Sequence, residues 1–130
     1  MKTLITLLCT VGTYLAIFMY LKALRAERGE LAETSVVETA PARLFGGVPN
    51  ALLGSVYYPL FAIAVWLAGT QAEMIALLGV CAIVGLVSLY LAYCLLSVVK
   101  MSCPYCWSAH AINWVIVIAY GAELMRRHAI

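Results

Sequence analysis

The sequence predicts an all-α integral membrane protein, a four-helix bundle whose helices run up, down, up and down. Of its 130 residues, 65% are hydrophobic and only 11% are charged, and the mean hydropathy is +1.01. Ordinary globular domains are only about half apolar, so a lipid bilayer is the environment that suits this composition. The net charge of +2 is spread over the chain ends and one loop, which excludes the basic stripe that nucleic-acid binding requires.

Four apolar runs are each long enough to cross the hydrocarbon layer, which takes roughly 20 residues. The first run follows Lys2 and is closed by Lys22 and Arg25. It is too long for a signal peptide and lacks a small-residue cleavage site, so we expect an uncleaved helix. We predict a single membrane domain, residues 1–130, with spans at about 3–24, 50–69, 74–99 and 104–124.

Proline and a short link mark the boundaries of the second span. Pro49 stands just before it, where a missing N–H costs nothing, and Pro59 within it predicts a kink. The link, residues 69–73, makes the second and third spans antiparallel neighbours. Both chain termini are therefore expected on one face of the membrane, with the first loop and the start of the fourth span on the other.

The first loop, residues 25–49, is the only long polar stretch and holds four of the six acidic residues. Loops of this length in a small domain are often lids or binding elements. Pro41 and the pair Gly46 and Gly47 interrupt regular structure within it. We predict that the loop covers the active-site end of the bundle; a mobile solvated linker is the alternative.

The residues that carry chemistry are Cys103 and Cys106, at the opening of the fourth span. Residues three apart share a helix face, so their sulfur atoms can bond. The partial positive charge of a helix N-terminus also stabilises a thiolate. The pattern predicts a redox-active dithiol/disulfide pair. The other cysteines lie in apolar runs, where a thiol behaves as a small hydrophobe; they are Cys9, Cys81 and Cys94.

Two polar residues continue the helix face of Cys106, namely His110 at i+4 and Asn113 at i+7. Polar groups at membrane depth are costly without partners, so they indicate a functional site. The stripe suits a small molecule with carbonyl oxygens beside a thiolate. For both residues, an interhelical hydrogen bond that holds the bundle together is the alternative. Asn50 begins the second span, where it either caps the helix or points into the bundle.

Two other classes of protein are compatible with these residues. Cys103, Cys106 and His110 can ligate a soft metal, although a closed zinc site requires a fourth ligand. A soft-metal transporter is therefore one alternative, and a non-enzymatic membrane assembly subunit is the other. Our prediction for this site is no metal.

Two motifs make the sequence resemble the vitamin K epoxide reductase family, including its bacterial and archaeal disulfide-forming homologues. The first is CPYCWSAHAIN, residues 103–113, at the start of the fourth span. The second is FGGVPNALLG, residues 45–54, which leads into the second span. The order of the spans and the long first loop agree as well, so the resemblance covers essentially the whole chain.

The resemblance implies a quinone-dependent thiol-disulfide oxidoreductase that passes electrons between a protein dithiol and a quinone. The co-substrate is expected to be of the ubiquinone or menaquinone type, and the thiol partner a thioredoxin-like protein acting in trans. Cys106 would face the quinone and Cys103 would exchange disulfides with the partner. The residues expected around the quinone are Asn50 and His110, at its carbonyl oxygens, and Leu53 and Phe45, in the pocket lining.

The sequence departs from the family in one respect. Members usually carry a second cysteine pair in the first loop, which relays electrons to an external thiol protein. Here no cysteine lies between Cys9 and Cys81, and the corresponding places fall near Ala26 and Thr34. We therefore expect either a partner that reaches Cys103 directly or weakened turnover.

Two opposing indications leave the membrane orientation open for this multi-pass protein of the cell membrane. The family places its cysteine pair outside the cytoplasm, where disulfides persist. Basic residues, however, number three on the face of the termini and five on the face of the cysteine pair. The positive-inside rule then favours a cytoplasmic site.

Overall fold

The computed structural model describes residues 1–30, 38–43, 46–101 and 103–129. These residues form four long helices: α1 (Lys2–Glu27), α2 (Asn50–Leu67), α3 (Gln71–Cys94) and α4 (Pro104–Ala129). A short 3-10 helix, Ala40–Arg43, precedes α2, and a π-helical turn, Leu95–Val99, extends α3. The predicted all-α helical bundle is confirmed.

Three helices in the described part of the chain are long and apolar enough to cross a membrane: Lys2–Glu27, Asn50–Leu67 and Gln71–Val99. The fourth, α4, is as long as α1 but carries His110 and Asn113 along its buried face. Its outer face nevertheless exposes large apolar side chains, which favour lipid over water. That α4 also crosses the membrane stays a prediction.

The helices follow one another around the bundle in the order α2, α1, α4, α3. The largest contact is between α1 and α2, α1 also packs against α4, and α3 packs against α4. By contrast, α2 and α3 contact each other sparsely, although only a short link joins them. The side of the bundle between α2 and α3 is therefore the loosely packed one.

A capping box at the start of α3 fixes the link between α2 and α3. The Thr70 hydroxyl accepts from the backbone N–H of Glu73 at 3.2 Å. The Glu73 carboxylate in turn accepts from the backbone N–H groups of Thr70 at 3.0 Å and Gly69 at 2.9 Å. Donors that a helix N-terminus leaves unpaired are satisfied reciprocally in this way. The chain can therefore reverse within a few residues.

Small residues allow α1 and α2 to approach closely. A Cβ atom at Gly12 of α1 would lie 2.8 Å from the ring of Tyr58, and one at Gly54 of α2 would lie 3.3 Å from Ala16. In lipid, helices associate largely through close van der Waals packing, which small residues permit. The ring of Tyr58 is thereby held in the core, where it is 3% exposed.

Gly12→Ala should destabilise the bundle, because the new methyl group would overlap the Tyr58 ring. Overpacking typically costs about 1–3 kcal/mol, which outweighs the gain of about 1 kcal/mol from replacing glycine by alanine in a helix. We expect a lower midpoint of thermal unfolding in detergent. The matched control is Gly79→Ala in α3, where a Cβ atom would meet nothing within 4 Å. Equal midpoints for the two variants would contradict the close contact.

Candidate functional site

The cysteine pair lies where α4 begins. Cys103 immediately precedes the helix and Cys106 is in its first turn; the two form a disulfide, with their Cα atoms 5.3 Å apart. The backbone N–H of Cys106 donates to Cys103 Sγ at 3.2 Å. Pro104 occupies the first helical position, where the lack of an N–H is tolerated. The positive end of α4 therefore faces the sulfur atoms and favours a thiolate once the disulfide is reduced.

A cavity of about 380 Å³ adjoins the disulfide and is lined by side chains from all four helices. Sites for small molecules typically enclose about 300–1,000 Å³. Cys106 belongs to the cavity lining, whereas Cys103 lies outside it and is only 6% exposed. The two sulfur atoms of one disulfide are thus in different surroundings.

The cavity wall is incomplete where α2 and α3 separate. Leu53 of α2 and Ile83 of α3 both line the cavity, yet they are 41% and 63% exposed. Both helices are long and apolar enough to cross a membrane, and in that position the gap would face lipid chains. An elongated apolar group on a ligand can therefore leave the cavity through the gap.

Asn50 is the first residue of α2 and lines the cavity. Its side chain does not cap the helix, because the N-cap residue is Pro49 and the cap has no side-chain hydrogen bond. Instead, Asn50 Nδ2 donates to the backbone carbonyl of Pro41 at 2.6 Å. The amide therefore joins the first loop to α2 at the edge of the cavity.

The described part of the first loop is held against the bundle by a second set of contacts. Arg43 donates to the carbonyl of Gly47 at 2.8 Å and forms an ion pair with Glu27 at the end of α1. Three residues of the segment belong to the cavity lining: Thr39, Pro41 and Ala42. The first loop thus contributes to the cavity wall, as the lid interpretation requires.

His110 lines the cavity and is 8% exposed. Its Nδ1 atom is buried and has no hydrogen-bond partner among the described residues. The ring stacks on Trp114, with centroids 6.1 Å apart, and meets the edge of Trp107 at 6.3 Å. A buried polar atom without a partner typically costs about 1–3 kcal/mol. A ligand atom that hydrogen-bonds to the imidazole would remove that cost.

Asn113 has both ends of its amide engaged in interhelical hydrogen bonds. Its Oδ1 atom accepts from the Tyr58 hydroxyl on α2, and its Nδ2 atom donates to Ser88 Oγ on α3, each at 2.6 Å. All three side chains are buried and all three line the cavity. Of the two interpretations that the sequence left open for Asn113, the structure supports the interhelical bond.

Sequence reasoning missed Tyr58 and Ser88. Tyr58 stands eight residues after Asn50, on the same face of α2 as Gly54, so the helical period offered a signal. Ser88 gave a weaker one, as a single small polar residue within the apolar run of α3. Small polar residues are common in membrane helices, and their partners become apparent only in three dimensions.

The remaining predicted residues have different outcomes. Leu53 lines the cavity, whereas Phe45 lies outside the described residues, so its place in the lining stays a prediction. Cys9, Cys81 and Cys94 are unpaired and buried. In the described part of the chain, no group of three or more His, Cys, Asp or Glu side chains is arranged to hold a metal ion.

A bundle of membrane-length helices with a disulfide beside a cavity is the arrangement expected of a membrane thiol oxidoreductase. Within that class, the chain belongs to the vitamin K epoxide reductase family, whose model matches residues 3–120. The predicted family is thus confirmed over nearly the whole chain. Comparisons with curated proteins and with solved structures give no match.

The disulfide predicts which cysteines react with an alkylating reagent in the unfolded protein. Without reductant, Cys9, Cys81 and Cys94 should be alkylated, while Cys103 and Cys106 should be protected. Prior reduction should make all five cysteines reactive. Intact-mass spectrometry counts the adducts, and peptide mapping assigns them. Alkylation of all five without reductant would contradict the disulfide.

Proposed function

We propose that the protein passes electrons from a protein dithiol to a membrane quinone through the Cys103/Cys106 pair. The observation that carries the proposal is the position of Cys106, which lines a cavity that Asn50 and His110 also line. A reactive sulfur, the space for a ring and two polar side chains therefore adjoin one another.

The cavity suits the head group of a quinone, of either the ubiquinone or the menaquinone type. Such a head group is flat and mostly apolar, with two carbonyl oxygens on opposite sides, and the cavity lining is mostly apolar with a few polar groups. Asn50 stands at the start of α2. His110 lies about 6 Å further along α4 than Cys106, at 1.5 Å per residue. An amide and an imidazole at these places can donate to the two oxygens.

The gap between α2 and α3 suits the long isoprenoid tail that membrane quinones carry. The side chains beside it, including Leu53 and Ile83, are apolar and partly exposed. A tail that lies in the gap stays in contact with lipid, so burying it in the protein is unnecessary. The ring can then enter from the bilayer, where quinones reside.

In the first half-reaction, a thiolate of the partner attacks Cys103 Sγ, and the bond between Cys103 and Cys106 breaks. Cys106 leaves as a thiolate at the start of α4, where the helix stabilises it. The partner's second thiol then attacks the mixed disulfide and releases Cys103. The partner dithiol has become a disulfide, and the Cys103/Cys106 pair has gained its two electrons.

In the second half-reaction, Cys106 Sγ bonds to a carbon of the quinone ring, and an electron pair moves to a carbonyl oxygen. Cys103 then attacks Cys106 Sγ, so the disulfide re-forms while the sulfur–carbon bond breaks. The electrons of that bond pass into the ring and to its oxygens. Two protons, equal in number to those lost by the dithiol, complete the quinol.

The burial of Cys103 sets a condition on the first step. Because Cys103 is only 6% exposed, a partner thiol can attack it only after local opening where the chain enters α4. The connection from α3 is short there, and Lys100 has a left-handed backbone with φ of 54°. With no cysteine between Cys9 and Cys81 to relay electrons, a thioredoxin-like partner acting in trans must reach Cys103 itself.

We expect the rate of quinone reduction by a soluble dithiol to fall at least about 100-fold in Cys106→Ala and in Cys103→Ala. Each variant lacks one of the two thiols that the thiol–disulfide exchange requires. Reduction of a short-chain quinone, followed by its absorbance, measures the rate. Cys103→Ala should in addition retain the quinone bonded to Cys106, visible as added intact mass. The matched control, Cys81→Ala, removes a buried cysteine outside the cavity lining and should stay active. Wild-type rates in Cys106→Ala would refute the proposal.

His110→Phe should lower kcat/KM by about 10- to 100-fold, because the ring remains but the donor to the quinone oxygen is lost. His110→Tyr keeps a ring with a donor and should recover most of the activity. Initial rates over a range of quinone concentrations give the comparison. Full activity of the phenylalanine variant would show that His110 only packs against Trp107 and Trp114.

A further inference from the structure

The hydrogen bonds through Asn113 run in one direction across the bundle. Tyr58 donates to Asn113 Oδ1, and Asn113 Nδ2 donates to Ser88 Oγ. Ser88 is therefore the acceptor at the end of this series of hydrogen bonds. Its own hydroxyl hydrogen has no acceptor among the residues that the structure describes. Ser88 is 2% exposed and lines the cavity. A buried hydroxyl donor is thus available to whatever occupies the cavity.

The opposite orientation of the Asn113 amide is less favourable. It would make Ser88 the donor and Tyr58 the acceptor, so that Tyr58 would need another acceptor for its own hydrogen. The nearest one, the carbonyl of Ala109, lies at 3.5 Å, beyond the usual length of an O–H···O bond. The orientation described above gives Tyr58 a bond of 2.6 Å and leaves the unused donor on Ser88.

A polar atom without a partner lies on the same face of α4 as Asn113. His110 Nδ1 is buried and unpaired within the described ranges, and His110 precedes Asn113 by three residues, so the two share a helix face. Because Ser88 is bonded to Asn113, its hydroxyl lies about one helical turn from His110. Both residues line the cavity, so an unused hydroxyl hydrogen and an unpaired ring nitrogen lie near each other beside it.

We propose that Ser88 is a further substrate-binding residue, which donates its hydroxyl hydrogen to the same quinone oxygen as His110. This rests on the proposed function and adds a residue to it. A carbonyl oxygen has two lone pairs and can accept from both donors. Tyr58 and Asn113 are positioning residues, since their hydrogen bonds fix the direction in which the Ser88 hydroxyl points.

The pair of donors acts on the step in which Cys106 adds to the ring. As the bond between Cys106 Sγ and a ring carbon forms, an electron pair moves to the oxygen held by His110 and Ser88, which becomes negative. Fixed donors aimed at a developing oxyanion lower the barrier, most of all where water is excluded. Hydrogen bonds in series polarise one another, so the Ser88 hydroxyl at the end of the series is a stronger donor. Ser88 should therefore affect kcat more than KM.

Ser88→Ala is the variant that tests the proposal. It should lower kcat for quinone reduction by about 10- to 100-fold, with His110 as the remaining donor, and leave KM within about threefold. Ser88→Thr keeps the hydroxyl and should restore most of kcat. The matched control is Ser55→Ala on α2, whose hydroxyl donates to the carbonyl of Leu52 at 2.7 Å and whose loss should leave kcat unchanged.

Infrared difference spectroscopy with carbonyl-labelled quinone supplies a readout that a purely structural role would not move. In Ser88→Ala, the stretching band of one carbonyl should shift to higher frequency and the other should stay in place, because one oxygen has lost a donor. In Ser88→Thr both bands should match the wild type. Thermal unfolding of each variant is measured alongside.

An unchanged kcat and an unchanged infrared band in Ser88→Ala would overturn the proposal. Equal losses of kcat and of thermal stability in Ser88→Ala and Ser88→Thr would also overturn it, since that pattern indicates packing alone. Failure of the proposed function gives a different result: Cys106→Ala would then reduce quinone at the wild-type rate, whatever the Ser88 variants do.

Discussion

The rest of the structure depends on one constraint, the absence of water between the lipid chains. Polar groups between lipid chains must find partners inside the protein. The Asn113 amide is buried within the bundle and bonds to Tyr58 and Ser88 on two other helices. These bonds fix which face of α4 turns inward. Cys106 lies on that same face, so the interactions that hold the bundle together also place this cysteine beside the cavity.

The disulfide gains its asymmetry from its place at a helix terminus. Cys106 is within the first turn and lines the cavity, while Cys103 precedes the helix and is not part of the lining. A pair of cysteines in the middle of a helix would present both sulfur atoms to one environment. At the terminus, the two bonded sulfur atoms lie in different environments, which suits the proposed transfer of electrons from a protein thiol to a membrane quinone.

Local properties of the sequence predicted the helices and the cysteine pair. Both the apolar runs and the i to i+3 spacing can be recognised within a short stretch of sequence. Helical spacing below Cys106 singled out His110, and the start of the second span singled out Asn50, while the resemblance supplied their expected role at the quinone oxygens. The structure brings both residues to the cavity. The bonds of Tyr58 and Ser88 could not be predicted in this way. They depend on how four helices rotate and approach one another, and the approach of α1 to α2 in turn depends on the absence of a side chain at Gly12. The short link at residues 69–73 predicted that α2 and α3 are neighbours, but not that they would pack sparsely against each other.

The separation of α2 and α3 has a consequence for how such an enzyme is studied. A substrate that enters through the gap between α2 and α3 comes from the bilayer. Its effective concentration is therefore its mole fraction in the lipid. Under the proposed function, adding more lipid or detergent at constant total quinone would dilute the substrate and slow the reaction. Apparent constants expressed per volume of solution would then vary with the vesicle or micelle content of the assay, and surface concentration would be the proper scale.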